Sequence, residues 1–474
     1  MPGTLSATTV TPMPTPRTPQ YLSVEERRAL GKRARERAPR SSIGTWRPSP
    51  DRPDPVATLS EQDDTREPDL VPIRHGRMMV SPFTFYRGGA RIMAWDLASV
   101  ATSGLKVQLC GDAHLSNFGV FASPERQLLF DINDFDETLP GPFEWDVARL
   151  AASFVIASRN NGFTEEEARV SAVAAATAYR EATAGFAQMR TLEIWYAHLP
   201  AEEILASVRT PRLKESIQRG LDHSRTRDSL QALTKLAEMV DGHYRIVSRP
   251  PVVMPIRDIA HLSEEDVQAG IHEMLHEYRR SLPDERRRLL ERYRFTDAAH
   301  KIVGVGSVGL RAFIALLQGR DEDDPLFLQM KEARHSVLEE HLPKSRFRNH
   351  GQRVVEGQRL MQAASDIFLG WTKGIDRQRN YYWRQLRDMK GSLDVEHAPP
   401  GVMTLYARTC GWTLARAHAR SGDPVAIAAY LGVSDRFDRA MGDFAERYAD
   451  INDGDHEEFC SAIAAGKLPV REGV

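Results

Sequence analysis

Hydrophobic and polar positions alternate along this chain with two periods, and the change from one to the other marks its organisation. From Ala148 to Arg294 apolar residues recur at helical spacing: ARVSAVAAATAYREATAGFA is alanine rich with aromatic residues at helical intervals, and later segments carry similar stripes. After Lys301 the period shortens. LRAFIALLQ is rich in β-favouring residues, the turn signal GRDEDDP follows, and a second apolar run, LFLQMK, ends at Lys331. Helical spacing returns in QRVVEGQRLMQAA through Val355, Leu360 and Met361, then DIFLGW and YYWRQLR read as strands and LYARTCGWTLARAHA as a helix. Upstream, LLFDINDFDE is another strand-like run. The first seventy residues differ in kind, with TPMPTPRTP, RRALGKRARERAPR and RPSPDRPDP predicting a disordered leader over 1–70 that holds at most one short helix. The pattern predicts an α+β protein in two lobes: a helix-rich domain over 71–295, a sheet-rich one over 296–392, and a helical return to the large lobe over 393–474.

Candidate chemistry concentrates in two stretches. In GDAHLSNFG, Asp112 and Asn117 stand in D-x-x-x-x-N spacing, by which a kinase catalytic loop places a base and a metal ligand. Asp134 opens a D-F-D triplet after an apolar run, where a second metal-binding carboxylate belongs; Asp131 and Asp136 are its neighbours on the same strand and rivals for the role. Phosphoryl transfer needs this set because its demands are in-line positioning and cations that offset charge on the phosphate oxygens. The second stretch is KIVGVGSVGLRAFIALLQ, where Gly304, Gly306 and Gly309 form G-x-G-x-x-G. A dinucleotide fold would place a helix after such a loop, whereas here a strand, a turn and a strand ending in Lys331 follow. That succession predicts glycine amides over the phosphates of ATP and Lys331 on its α and β phosphates. A lysine so used is held by a glutamate on the next helix; Glu356 is the candidate and Glu339 its rival.

The order of these parts is that of a kinase cut elsewhere, since the catalytic residues precede the glycine loop. Chain termini often meet at a domain surface, so circular permutation keeps a fold while moving the cut. GDAHLSNFG resembles the G-D-x-H-x-x-N loop of aminoglycoside and choline phosphotransferases, and FEWDVARLA is similar to the acidic helix start after their metal-binding Asp. From about Val71 to Gly466 the chain resembles a bacterial family, domain of unknown function 2252, grouped with protein-kinase-like folds; SPFTFYRG, NDFDETLPGPFEWDVARLA, KIVGVGSVG and VVEGQRLMQAASDIFLGW carry the likeness. The resemblance implies a circularly permuted, two-lobed protein-kinase-like fold, with Asp112 as base, Asn117 and Asp134 as Mg²⁺ ligands and Lys331 as phosphate ligand. It also implies that His114 supports the loop through a hydrogen bond and that Asp146 ties the loop to the following helix. Cys110 departs from the pattern, standing where the phosphotransferases usually have a His that braces the loop.

Composition narrows the rest. A length of 474 residues with 41% hydrophobic and 27% charged residues suits two lobes with sizeable cores. A net charge of −2 gives no reason to invoke nucleic acid or an acidic membrane, and no apolar run reaches the length of a membrane span. Cys110, Cys410 and Cys460, at unrelated spacings, form neither a zinc knuckle nor a disulfide framework and fit a reducing cytoplasm. The expected activity is ATP- and Mg²⁺-dependent phosphotransfer to a hydroxyl-bearing substrate, a small molecule before a protein. A nucleotide-binding pseudokinase and an AMP transferase are neighbouring readings. A remote one is a zinc peptidase, because His272, Glu273 and His276 spell H-E-x-x-H. Trp195 and Tyr196 are candidates for an acceptor pocket, and Arg74, Arg77 and Arg87 for steering an anionic substrate.

Overall fold

A computed structural model describes residues 21–258, 264–302, 308–386 and 388–473. Four short strands frame the catalytic-loop stretch: β1 (Lys106–Leu109), β2 (Phe118–Ala122), β3 (Leu128–Ile132) and β4 (Leu139–Pro142). β1 pairs with β4 and β2 with β3, both antiparallel, so the segments 110–117 and 133–138 are each anchored at both ends. A small hairpin, β5 (Ala237–Val240) and β6 (His243–Ile246), leads to β7 (Val253–Pro255). β7 then joins β8 (Arg294–Lys301), β9 (Ala312–Gln318), β10 (Pro325–Ala333), β11 (Gly370–Lys373) and β12 (Asn380–Gln385) in one antiparallel sheet, ordered β11-β12-β10-β9-β8-β7.

Alternation along β10 sorts its side chains by face. Leu326, Leu328 and Met330 enter one core with Met274, Leu275 and Tyr278 of the helix Glu264–Ser281, and Tyr278 stacks on Trp383 at 4.8 Å between ring centroids. Phe327 points the other way, into a core with Ala232, Leu233 and Leu236 of the helix Ser229–Leu236. Gln329 and Lys331 share its face, but there the helix ends and a cavity begins. The sheet is therefore covered by helix on one side and only half covered on the other.

The large lobe is helical. Helices Phe143–Asn160, Glu165–Phe186, Pro400–Ala419 and Arg436–Ala464 contribute to one core. The alanine-rich run serves close packing: a Cβ added at Gly411 would sit 2.2 Å from the carbonyl oxygen of Ala175, so the two helices touch backbone to side-chain-free backbone. No helix among the described residues is long and apolar enough to cross a membrane.

Two expected boundaries need correction. The leader is not disordered over 1–70: residues from Val24 onward form helix Val24–Arg37, helix Pro55–Asp63 and shorter turns. Its arginines are structural, Arg27 pairing with Asp423 at 2.8 Å, Arg35 and Arg40 donating to the carbonyls of Tyr430 and Leu431, and Arg52 bridging Asp96 and Asp455. A capping box between Ser23 and Glu26 starts the first helix, and Gly31 and Ala34 bury its inner face against the helix Pro424–Leu431. Composition suggested disorder because these arginines satisfy distant partners that local sequence does not reveal. The other correction is at 296, since the helices Ser229–Leu236 and Glu264–Ser281, placed in the 71–295 domain by their period, pack on the sheet.

Gly31 lies so close to the carbonyl of Ala426 that an added Cβ would be 2.0 Å from its oxygen. Gly31→Leu is therefore expected to detach the first helix at a cost of about 1–3 kcal/mol, the usual range for overpacking. Limited proteolysis should show new cleavage within 24–37 while the remainder stays resistant; an unchanged cleavage pattern would contradict the packing.

Candidate active site between the sheet and the helical lobe

The open face of the sheet and the segments 110–117 and 133–138 enclose a cavity of about 960 Å³. Asp112, Asn117, Asp134 and Lys331, more than two hundred residues apart at the extremes, all line it. Lys331 comes from β10, opposite Tyr382 of β12 in the sheet register, while Gln329 stands opposite Arg384. Tyr382 and Arg384 are two residues apart and so share the face of Lys331.

The Lys331 ammonium is 3% exposed and forms ion pairs with Asp136 and, at 3.7 Å, with Asp134. The Tyr382 hydroxyl donates to the other oxygen of Asp136 at 2.8 Å. Burial works against the Lys331 charge, but Asp134 and Asp136 reverse that effect and hold its pKa above the ordinary lysine value. Burial likewise would raise the Asp134 carboxyl, yet the cations of Lys331 and Arg384 outweigh it and keep the group below the ordinary carboxylate value. Asp134 remains 32% exposed, so an ionised carboxylate faces the cavity.

The loop opposite is held by its backbone. Asp146, near the start of the helix Phe143–Asn160, accepts from the amides of Cys110 and Gly111 at 2.8 and 3.0 Å. His418 approaches the same carboxylate at 3.2 Å and reaches the Tyr179 hydroxyl with its other nitrogen at 2.9 Å. The Tyr406 hydroxyl donates to the carbonyls of Leu115 and Phe118. Two residues of the helix Pro400–Ala419 thus brace a loop some three hundred positions earlier. Gly111 adopts φ +85, and its added Cβ would lie 2.4 Å from the Glu137 carbonyl oxygen, so only glycine fits there.

Within this frame the Asn117 amide nitrogen donates to the Asp112 carbonyl at 2.8 Å, leaving its oxygen, the atom able to bind a cation, for other partners. Asp112 accepts from the Arg149 guanidinium at 2.8 Å, and burial outweighs that cation so that its carboxyl stays above the ordinary value. Arg149 is fixed in turn, donating to the Tyr86 carbonyl at 2.8 Å and lying 3.7 Å from the Tyr86 ring centroid.

Several expected roles fall elsewhere. Glu356 does not hold Lys331: its carboxylate meets Arg359 at 3.5 Å and the residue does not line the cavity, because Asp134 and Asp136 already neutralise the lysine. Arg353, one turn earlier on the same helix, His350–Met361, is buried behind the cavity wall and braces it by donating to the carbonyls of Asp136, Thr138 and Arg334 at 2.7–2.8 Å. Glu339 lines the cavity without reaching Lys331. Asp131 is buried against Arg416 and accepts from the Ala363 amide, away from the cavity. Among the described residues the Nδ1 of the His114 ring is buried without a partner and its Nε2 is 3.7 Å from Asp112, so no hydrogen bond from the ring supports the loop there. Gly304 and Gly306 lie outside the described residues, and Gly309 has φ +88 with its carbonyl accepting from the Glu67 amide. Of the three arginines, Arg87 lines the cavity while Arg74 is buried on Asp63 and Gln62. Trp195 and Tyr196 are exposed and outside the cavity. His272 and His276 are exposed, Glu273 pairs with Arg377, and neither histidine joins a group of three ligands among the described residues. Period-two alternation along YYWRQLR would have found Tyr382 and Arg384; nothing local marks Arg149 or Arg353.

Residues 66–462 match the family described as an uncharacterized protein conserved in bacteria, domain of unknown function 2252. The chain belongs to this family. No curated protein and no solved structure matches it. In this member of the domain of unknown function 2252 family the matched span takes in all four residues that meet at the cavity and both lobes that supply them.

Burial raises the Glu137 carboxyl at the cavity wall from its ordinary value to about 7, with the nearby Arg353 guanidinium opposing. A carboxyl whose pKa rises on folding favours the native state most when protonated, so its contribution is full below about pH 4.5 and is lost as pH climbs through 7. Unfolding measured across pH 4.5–7.5 should therefore show wild type losing stability relative to Glu137→Gln over that window. Parallel curves for the two proteins would refute the assignment.

Proposed function

We propose that this protein binds ATP with Mg²⁺ in the cavity between sheet and helical lobe and transfers the γ-phosphoryl group to a hydroxyl acceptor. The observation that carries this reading is the meeting of Lys331 with Asp134, 3.7 Å apart, from strand and loop segments nearly two hundred residues distant in the chain. The succession of elements supports it: strand β8, the glycine stretch, β9, a turn, the lysine strand β10, a helix and two further strands, in the order expected of a kinase small lobe. Joining Asp112, Asn117 and Asp134 to the other side of that sheet is consistent with a circularly permuted kinase-like fold.

The donor set fits a hard cation. Asp134 offers an ionised, partly exposed carboxylate and Asn117 an amide oxygen, the oxygen ligands that Mg²⁺ takes alongside phosphate and water. Bound there, Mg²⁺ would offset charge on the phosphate oxygens. Lys331 and Arg384 supply fixed positive charge on the sheet side, where a triphosphate would otherwise be unneutralised. Lys331 leaves its carboxylate partners for phosphate at small cost, because a phosphate replaces one anionic contact with another. Asp112 orients the acceptor hydroxyl and takes its proton late, as a loose transition state requires little nucleophile activation. The Arg149 contact fixes the carboxylate's direction and keeps one oxygen occupied, so the other is the one presented to substrate.

Purified protein incubated with ATP labelled separately at the γ and α phosphates, together with an extract of small metabolites, tests the reading. Transfer of γ label dependent on Mg²⁺ is expected; transfer of α label would mean AMP transfer, and transfer of neither would remove the catalytic reading. Asp134→Asn should lower Mg²⁺-dependent turnover by about 100-fold or more, the usual scale for losing one preorganised electrostatic contact, in a protein that keeps the circular dichroism of wild type because Asp136 still pairs Lys331. Undiminished turnover would take Asp134 out of the mechanism.

A further inference from the structure

The same cavity carries a second group of ligating side chains that phosphotransfer does not use. His335 follows β10, Glu339 lies in the short turn Val337–Glu340, and His350 opens the helix His350–Met361. One ligating atom from each lies within 4.8 Å of the other two, the only such trio of His, Cys, Asp or Glu among the described residues. The two imidazole rings are 4.0 Å apart between centroids, and His335 Nδ1 is 3.3 Å from a carboxylate oxygen of Glu339. The Glu339 side chain is only 5% exposed, yet its other oxygen has no hydrogen-bond donor, and the buried Nδ1 of His350 has no partner either. Buried polar atoms left unpaired are costly, so two of them converging beside a third ligand need a physical account.

We propose that His335, Glu339 and His350 bind a divalent transition-metal ion of the zinc class on the wall of the cavity. Two imidazoles and one carboxylate are a borderline-soft donor set, suited to Zn²⁺ or Co²⁺ and unsuited to Mg²⁺ or Ca²⁺, which take oxygen. Three protein ligands leave a fourth position for water or for an anionic group of a cavity ligand. With metal–nitrogen bonds of about 2.0 Å, tetrahedral ligands stand about 3.3 Å apart, so the trio must close slightly. His335, 72% exposed, has the freedom to do so. Outer contacts already fix the others: Asn349 caps the helix that presents His350, and Arg353 lies 3.9 Å from the unpaired oxygen of Glu339. That guanidinium is a like charge to the metal; three backbone carbonyls hold its terminal nitrogens, while its Nε, the atom nearest Glu339, has no hydrogen-bond partner of its own. The site is separate from Asn117 and Asp134, so it stands whether or not ATP is the substrate.

The test uses the full-length protein, freed of any histidine tag and stripped with chelator. Zn²⁺ is titrated in competition with a chromophoric chelator at pH 7.5 under excess Mg²⁺. One equivalent should bind with micromolar or tighter affinity; His335→Ala and His350→Ala should each weaken it about tenfold or more, while Asp134→Ala and the double variant His272→Ala, His276→Ala keep it. Because His335 is exposed, its variant is decisive if His350→Ala fails to fold, which thermal unfolding of the apo proteins will show. No bound equivalent in wild type, an equivalent unaffected by His335→Ala, or one lost with His272 and His276 would overturn the assignment.

Discussion

A lysine ammonium withdrawn almost wholly from water must find carboxylates, and Lys331 finds two on the opposite lobe. Leaving such a charge buried and unpaired costs several kcal/mol, so the pairing with Asp134 and Asp136 fixes how sheet and helical lobe meet. Other contacts follow from it. Tyr382 can donate to Asp136 only because its strand is in register with Lys331, and Arg353 reaches three carbonyls only when the 133–138 segment lies under the helix His350–Met361. The sheet face here carries charge where its neighbouring residues carry hydrocarbon, which makes the half-covered side of the sheet a site rather than a core.

The opposite wall is rigid for a different reason. Backbone amides of Cys110 and Gly111 end on one buried carboxylate, Asp146, and that carboxylate is steadied by His418 and through it by Tyr179. The loop that brings Asp112 and Asn117 to the cavity has its conformation set by hydrogen bonds inside the lobe. Arg149 extends the same network to the side chain of Asp112, with Tyr86 behind it. The cavity thus joins a wall of fixed anions to a wall whose cations are pre-paired, the arrangement in which a polyanion and its counter-cation can exchange places with existing contacts.

The histidine and glutamate trio lies on the wall of the same cavity. His335, Glu339 and His350 line the same space as Asp112, so the proposed metal would stand in the proposed acceptor's cavity. Glu137, with its raised pKa at the cavity wall, adds a group whose charge varies in the physiological range.

Much of this was legible from residue order alone. Alternation and helical spacing located β9, β10 and β12 and the helices around Glu165–Phe186, His350–Met361 and Pro400–Ala419, because each period records which face of a single element is buried. Spacing and the succession of elements marked Asp112, Asn117, Asp134 and Lys331, all of which line the cavity, while the bracing role of Asp146 came from the family resemblance. Tertiary structure alone decided which carboxylates hold Lys331, that Arg353 rather than Glu356 braces the 133–138 segment, that Arg149 restrains Asp112, and that the arginine-rich leader is a packed helix. Those choices depend on the pairing of charges far apart in sequence, and a charged residue carries no sign of its partner until the chain brings the two out of water together.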